Sequence, residues 1–150
     1  MSDESLVVKA ERLSKRRARV FAVLAVFFLG LQTVYLSNGA LHENTRLAHF
    51  KIGAWALNAI VLLVLLATGG NLMRGRAIKN ILNDETTRAH RRVATAWGFW
   101  AMIVTGFGLY IIDQFEEVTT REVLHMLITF GTAVPLLVFS YLERRAYRDA

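Results

Sequence analysis

The sequence predicts an all-α fold: a four-helix transmembrane bundle with up-down topology. Of its 150 residues, 54% are hydrophobic and one is proline. The apolar residues fall in four blocks flanked by charge, each close to the roughly 20 residues that a helix needs to cross a bilayer. The blocks lack the alternation of barrel strands, and helices are the other way to satisfy backbone hydrogen bonds in hydrocarbon.

We expect these blocks to form a single transmembrane domain over residues 1–150. A cytoplasmic basic arm, residues 1–19, precedes the first span, which reads as a retained signal anchor because no small-x-small cleavage site follows it. Residues 74–92 mix Ile and Leu with basic residues, which is typical of a cytoplasmic interfacial loop. The acidic turn at 113–120 makes the last two helices antiparallel neighbours. The spans are about 20–36, 50–73, 93–112 and 123–142.

The third helix is expected to begin before its apolar span. Asp84 precedes "ETTRAHRR", and Asp is a favoured N-cap, so the helix begins inside the loop and continues into the membrane. Small residues then recur along it at steps of four, three, four and three, and small side chains let helices in lipid approach closely. They predict a buried seam of Ala94, Gly98, Ala101, Thr105 and Gly108.

The Lys and Arg positions predict that both termini are cytoplasmic, because basic residues near short loops are retained on that side. Fifteen of the 18 lie in the N-terminal arm, the second connection and the C-terminal tail; only Arg46, Lys51 and Arg121 lie at the opposite ends. The net charge of +6 therefore indicates topology and attraction to anionic lipid rather than nucleic-acid binding. We expect an integral protein of the bacterial inner membrane.

The absence of cysteine excludes disulfides and iron–sulfur clusters. No Asp, Glu, Lys or Arg falls in the middle of a span, which disfavours a charge-coupled transporter. The mid-membrane polar residues Gln32, Asn58 and Thr68 are expected to form interhelical hydrogen bonds. Four histidines remain as candidates for chemistry: His42 in the outer loop, His49 opening the second helix, His90 opening the third, and His125 one turn into the fourth.

His49 and His125 lie within roughly one turn, about 5 Å, of the same outer level, so they can face one another. His90 lies some 30 Å away and is expected to contact lipid phosphate. Residues four and seven positions after each outer histidine lie beneath it on the same helix face. These are small, and leave a slot for a porphyrin whose iron takes one imidazole from each side. They are Gly53 and Ala56 below His49, and Thr129 and Thr132 below His125.

"RLAHF", from Arg46 to Phe50, resembles the Arg-x-x-His-aromatic start of haem-binding helices in membrane b-type cytochromes of the formate dehydrogenase gamma and cytochrome b561 kind. "HFKIG" is similar to the His-x-x-x-Gly of the b561 type, and "TGFGLY" resembles the Thr-Gly that closes such helices. The resemblance implies a four-helix core with haem b that passes electrons between quinols and a partner. Only the outer haem site carries over, onto His49 and His125, because the first helix has no histidine.

The leading hypothesis is a membrane electron-transfer protein: a b-type cytochrome, or the haem-bearing anchor subunit of a larger complex, acting as a quinol-linked oxidoreductase component. His42 is the second candidate for an axial ligand, Arg46 is a candidate propionate contact, and a quinone is a further candidate ligand. One alternative is a cofactor-free accessory subunit that stabilises a larger membrane complex or a homo-oligomer. Another is a small-solute channel or exporter. An absorbance spectrum of the purified chain separates the first hypothesis from the others.

Overall fold

The computed structural model describes residues 3–37, 46–70 and 85–146, and within the first range the side chains of 15–32. In these ranges the chain is all-helical, which confirms the predicted class, and it has no strand. The candidate ligand His42, the N-cap candidate Asp84 and most of the predicted interfacial loop lie outside the described residues. The four helices described are α1 (Asp3–Ser37), α2 (Arg46–Ala67), α3 (Glu85–Ile112) and α4 (Thr120–Ala146).

Three of the helices, α2, α3 and α4, are long and apolar enough to cross a membrane. The first predicted span, 20–36, runs past the described side chains of α1. The third helix begins at Glu85, which confirms that it starts well before its apolar span. In α1, helix already begins at Asp3, so the predicted basic arm is continuous with the apolar segment that follows it.

The central helix is α4, which contacts α1 and α3 extensively and α2 to a smaller extent. In an apolar stretch of 18 residues within α4, 44% of the residues are buried, whereas in the corresponding stretch of α3 only 6% are. The core lies mainly between α1 and α4, where Phe28, Leu136 and Phe139 are completely buried. The ring of Phe21 meets that of Phe139 edge-on, with 5.1 Å between centroids. Aromatic packing therefore holds α1 against α4.

Side-chain contacts define two ends of the molecule. The hydroxyl of Ser140, near the end of α4, donates to the carbonyl oxygen of Ala18 at 2.8 Å, about midway along α1. We call this the basic end, because Arg17, Arg88, Arg91 and Arg92 lie there. Near the other termini of the same two helices, His125 contacts Gln32, and we call that the histidine end. The two contacts show that α1 and α4 run antiparallel.

Local signals in the sequence account for two helix termini. After Ala67, the last residue of α2, Gly69 and Gly70 adopt left-handed backbone with φ of 63° and 70°, and the Gly70 amide donates to the Leu65 carbonyl at 2.8 Å. Glycine enters this conformation without a Cβ clash. Before α4, Thr119 and Glu122 form a capping box: the Thr119 amide donates to the Glu122 carboxylate at 2.8 Å, and its hydroxyl accepts from the Glu122 amide at 3.3 Å.

The closest approach of α3 to α4 is at Gly98. A Cβ atom at Gly98 would lie 2.9 Å from Cγ of Pro135 and 3.3 Å from the carbonyl oxygen of Gly131. Both Ala94 and Gly98 are buried, whereas the remaining seam residues are half-buried. The predicted small-residue seam is therefore confirmed most clearly in its first half, where a helix backbone packs on a proline ring.

We expect Gly98→Ala to lower the free energy of unfolding by about 1–3 kcal/mol, because the proline ring and the backbone oxygen that meet the new methyl group cannot rotate away. Gly131→Ala is the matched control. Its Cβ would meet Sδ of Met102 at 2.7 Å, but this flexible side chain can move. Thermal unfolding in detergent measures both variants. Equal losses would contradict a rigid contact at Gly98.

Candidate functional site

The histidine end is built around a buried imidazole. His125 is 3% exposed, and its Nε2 donates to the amide oxygen of Gln32 across the α1–α4 interface. Its ring stacks on that of Trp55, with centroids 4.0 Å apart and planes inclined by 23°. Trp55 in turn stacks on Phe28 at 6.4 Å. Residues from α1, α2 and α4 therefore meet in one packed cluster, and the interhelical bond expected of Gln32 is confirmed.

The two proposed haem ligands lie on different kinds of surface. His125 is on the inward face of α4 together with Thr129 and Thr132, both buried. The hydroxyl of Thr129 donates to the His125 carbonyl at 2.7 Å. His49 is exposed. On α2, Arg46 and Gly53 are also exposed and Ala56 is half-buried, whereas the inward face carries Ala48, Trp55, Ala59, Leu62 and Leu66.

In this arrangement the residues do not fit a haem clasped by two imidazoles. The Nε2 of His125 is engaged by its hydrogen bond with Gln32, so iron at this nitrogen would have to displace that contact. Trp55 covers one face of the imidazole, and the slot beneath His49 opens outward because Gly53 has no neighbour within 4 Å of a Cβ built there. Within the described residues, no group of three or more His, Cys, Asp or Glu side chains could hold a metal ion.

At the basic end, a buried ion pair joins α1 to α4. Arg17 is 5% exposed and Glu143 2%, and the guanidinium of Arg17 donates to the carboxylate of Glu143. Arg17 also donates to the hydroxyl of Thr87 at 3.2 Å and lies over the ring of Phe139, 5.6 Å from its centroid. Nδ1 of His90 donates to the other carboxylate oxygen of Glu143 at 3.3 Å.

These contacts bear on two expectations. Arg17 was expected in a cytoplasmic arm, yet it lies inside the fold because its partner Glu143 is on the inward face of α4. His90 was expected to contact lipid phosphate; in the structure its Nδ1 lies 3.3 Å from a carboxylate oxygen of Glu143. Thr68 was expected to form an interhelical hydrogen bond. Its hydroxyl instead donates to carbonyl oxygens in the last turn of α2, those of Val64 at 2.8 Å and Leu65 at 3.2 Å.

A groove of about 1010 Å³ lies between α2 and α3, with residues of α4 forming part of its lining. At the basic end it is bordered by Arg88, Arg91 and Arg92, and the guanidinium of Arg91 donates to the carbonyl of Ala67 at the end of α2. Away from that end the lining is apolar except for Thr95 and Thr132. We call this the α2–α3 groove.

One face of α3 supplies both the charged and the apolar parts of the groove. Arg88, Arg92, Thr95, Phe99 and Met102 all line it, and their spacing of four, three, four and three residues places them on one side of a helix. The face is thus cationic in its first turns and hydrophobic further along. Such a surface matches a ligand that is charged at one end and apolar along the rest of its length.

A buried hydroxyl also lines the groove. Thr132 of α4 is 1% exposed, and its Oγ1 has no hydrogen-bond partner among the described residues. Buried polar atoms are paired in the great majority of cases, so an unpaired one in the wall of a groove indicates a place for a ligand atom or water. Sequence reasoning selected Thr132 for its small size and missed this role, because the groove depends on how α2 lies relative to α3.

Comparison with family models, with curated proteins and with solved structures finds no match for this chain. The resemblance to membrane b-type cytochromes therefore stays a prediction carried by the quoted residues alone.

Proposed function

We propose that the protein is an integral membrane protein that binds an amphiphilic molecule in the α2–α3 groove. The observation that carries the proposal is the lining of that groove, which changes from arginine to hydrocarbon along one face of α3. Its volume of about 1010 Å³ lies at the upper end of the roughly 300–1,000 Å³ typical of small-molecule sites. A long-chain molecule with a polar head has this combination of size and polarity.

A partner helix is a poorer occupant of the groove. A transmembrane helix of about 20 residues is roughly 30 Å long and 10–12 Å wide, which corresponds to a volume on the order of 2,500 Å³. The groove would hold less than half of that volume. A flexible hydrocarbon chain can instead follow the uneven wall that Leu63, Phe99 and Met102 provide.

The proposal includes the four-helix transmembrane bundle, with α1 as the fourth span and both termini in the cytoplasm. The arginines that border the groove would then face the cytoplasm, as the positive-inside rule requires. Exposed aromatic side chains support a membrane position for α3: Trp97 lies near the basic end of the apolar segment 93–112, and Tyr110 lies near its other end. Aromatic residues concentrate at the two interfaces of a bilayer.

A photoactivatable long-chain amphiphile tests the proposal. We expect it to label the full-length protein in detergent or vesicles, with the adducts concentrated on groove residues such as Leu63 and Met102. Ala96→Trp places an indole in the groove, which Ala96 lines as an exposed residue, and should abolish most of this labelling. Ala54→Trp is the matched control, because Ala54 is an exposed alanine of α2 that does not line the groove.

Two results would count against the groove as a binding site. One is labelling of the exposed α1 residues Val23 and Val26 to the same extent as the groove, which is the pattern of bulk lipid. The other is equal labelling of the Ala96→Trp and Ala54→Trp variants.

The electron-transfer hypothesis and the cofactor-free accessory subunit both stay predictions. A haem would require His125 to release Gln32 and His49 to turn from the exposed face of α2 toward it. An absorbance spectrum of the same purified protein decides this point: a Soret band lost in both His49→Ala and His125→Ala would favour the cytochrome over the amphiphile-binding protein.

A further inference from the structure

We infer that the molecule bound in the α2–α3 groove is an anionic phospholipid, whose phosphate is held by Arg88 and Arg92 and whose acyl chain lies along the apolar wall. This inference rests on the proposed function and names the chemistry of its ligand. It is carried by the placement of charge, of hydrocarbon and of one buried hydroxyl in the same groove.

The charge at the mouth of the groove favours an anion. Three arginines line it, and no Asp or Glu is among the described residues that do so. Arg91 bonds the end of α2, while the exposed Arg88 and Arg92 lie about one turn apart on one face of α3, a rise of roughly 6 Å. Two guanidinium groups at this spacing can donate to oxygens of one phosphate, and the planar fork of arginine suits that geometry.

The rest of the groove favours a lipid over free phosphate. Beyond the arginines, the lining is formed by Leu63 and Leu66 of α2, Phe99 and Met102 of α3, and Ile128 of α4. Inorganic phosphate would leave this apolar surface uncovered, whereas an acyl chain covers it. Thr132 also lines this part of the groove, and its buried hydroxyl has no hydrogen-bond partner among the described residues.

The position of the arginines also specifies the leaflet. They lie at the basic end, where Lys and Arg concentrate, and anionic lipids attract basic residues at the cytoplasmic surface. Each direct arginine–phosphate contact in the groove is expected to strengthen binding by roughly fivefold beyond the general attraction of the surface. Loss of both Arg88 and Arg92 should therefore weaken binding by about 30-fold.

Native mass spectrometry of the full-length protein, titrated with phosphatidylglycerol or with phosphatidylcholine of the same chain length, measures this preference. We expect the wild-type protein to retain phosphatidylglycerol more strongly. The Arg88→Gln/Arg92→Gln variant should lose about 30-fold in affinity for phosphatidylglycerol and change little toward phosphatidylcholine. The control is Arg144→Gln/Arg145→Gln, which removes the same charge from exposed residues in the last turn of α4.

The outcomes distinguish the two levels of the proposal. Equal retention of both lipids, or an equal loss in the control variant, would overturn the phospholipid inference and indicate general attraction to the basic end. If Ala96→Trp nevertheless lowers the retention of both lipids, the groove still binds an amphiphile and only its headgroup is misidentified. If Ala96→Trp lowers neither, the proposed function itself fails, and the phospholipid inference fails with it.

Discussion

Glu143→Gln is expected to lower the free energy of unfolding by about 3–5 kcal/mol, the typical cost of removing one partner from a buried ion pair. The carboxylate is 2% exposed and accepts from both Arg17 and His90. An amide keeps its shape but not its charge, so the buried guanidinium of Arg17 would lose its counter-charge. Chemical unfolding of the purified protein in detergent, followed by circular dichroism, measures the loss.

Two further variants make the expectation specific. Glu117→Gln removes a carboxylate from the exposed turn between α3 and α4 and should change stability by no more than about 0.5 kcal/mol. Arg17→Met/Glu143→Leu removes both charges and should recover most of the loss, because no charge is then buried alone. If Glu143→Gln were as stable as Glu117→Gln, the buried ion pair would contribute nothing to stability.

The ion pair also bears on the groove. Arg17 donates to Thr87, and Glu143 accepts from His90, so both charges of the pair hold the first turns of α3. Arg88 and Arg92 lie in these same turns and line the groove. The buried cluster at the basic end therefore fixes the backbone that presents the two arginines to a ligand.

Composition and spacing were sufficient for much of the fold. The apolar blocks identified the four helices that the structure describes, because a helix of bilayer length requires an uninterrupted apolar run. The steps of four and three between Ala94, Gly98 and Ala101 identified the face of α3 that packs on α4, because small residues are selected where two backbones approach. The Thr119–Glu122 capping box was also readable from its spacing of three residues.

The rotation of α2 could not be predicted in the same way. Its residues are apolar on nearly every side, so no polar stripe marks which face turns inward. The depth of His49 follows from its place in the sequence, but the inward face begins with Ala48, and one residue corresponds to about 100° around a helix. The site prediction placed His49 opposite His125, and the structure has Trp55 there instead.

The polar partners at the basic end were missed for a related reason. Arg17 was counted with the topology-determining basic residues, and Glu143 stands beside Arg144 and Arg145, where a carboxylate reads as part of a solvated tail. One signal was available: Glu143 follows Leu136, Phe139 and Ser140 at helical spacing and so continues the inward face of α4. A carboxylate on such a face requires a buried cation, and the sequence alone does not say which of six basic residues in the arm supplies it.

Trp55→Ala is expected to have an effect as large as that of Glu143→Gln, about 3–5 kcal/mol of unfolding free energy, typical of truncating a buried aromatic residue. The indole is 7% exposed and stacks on both His125 and Phe28. The indole also links α2 to the central helix α4, which α2 otherwise touches only sparingly. Thermal unfolding in detergent measures the change.

Trp97→Ala is the matched control, because it removes the same side chain from a position of α3 that is 57% exposed, and it should change stability by no more than about 0.5 kcal/mol.

Because Trp55 holds α2 in place, Trp55→Ala should also weaken phosphatidylglycerol retention in the α2–α3 groove, although Trp55 does not line it. If Trp55→Ala loses stability but retains phosphatidylglycerol as the wild type does, the groove keeps its shape without Trp55. Equal stability of the Trp55 and Trp97 variants would contradict the packed cluster at the histidine end, since a tryptophan packed among three helices cannot be removed at the same cost as an exposed one.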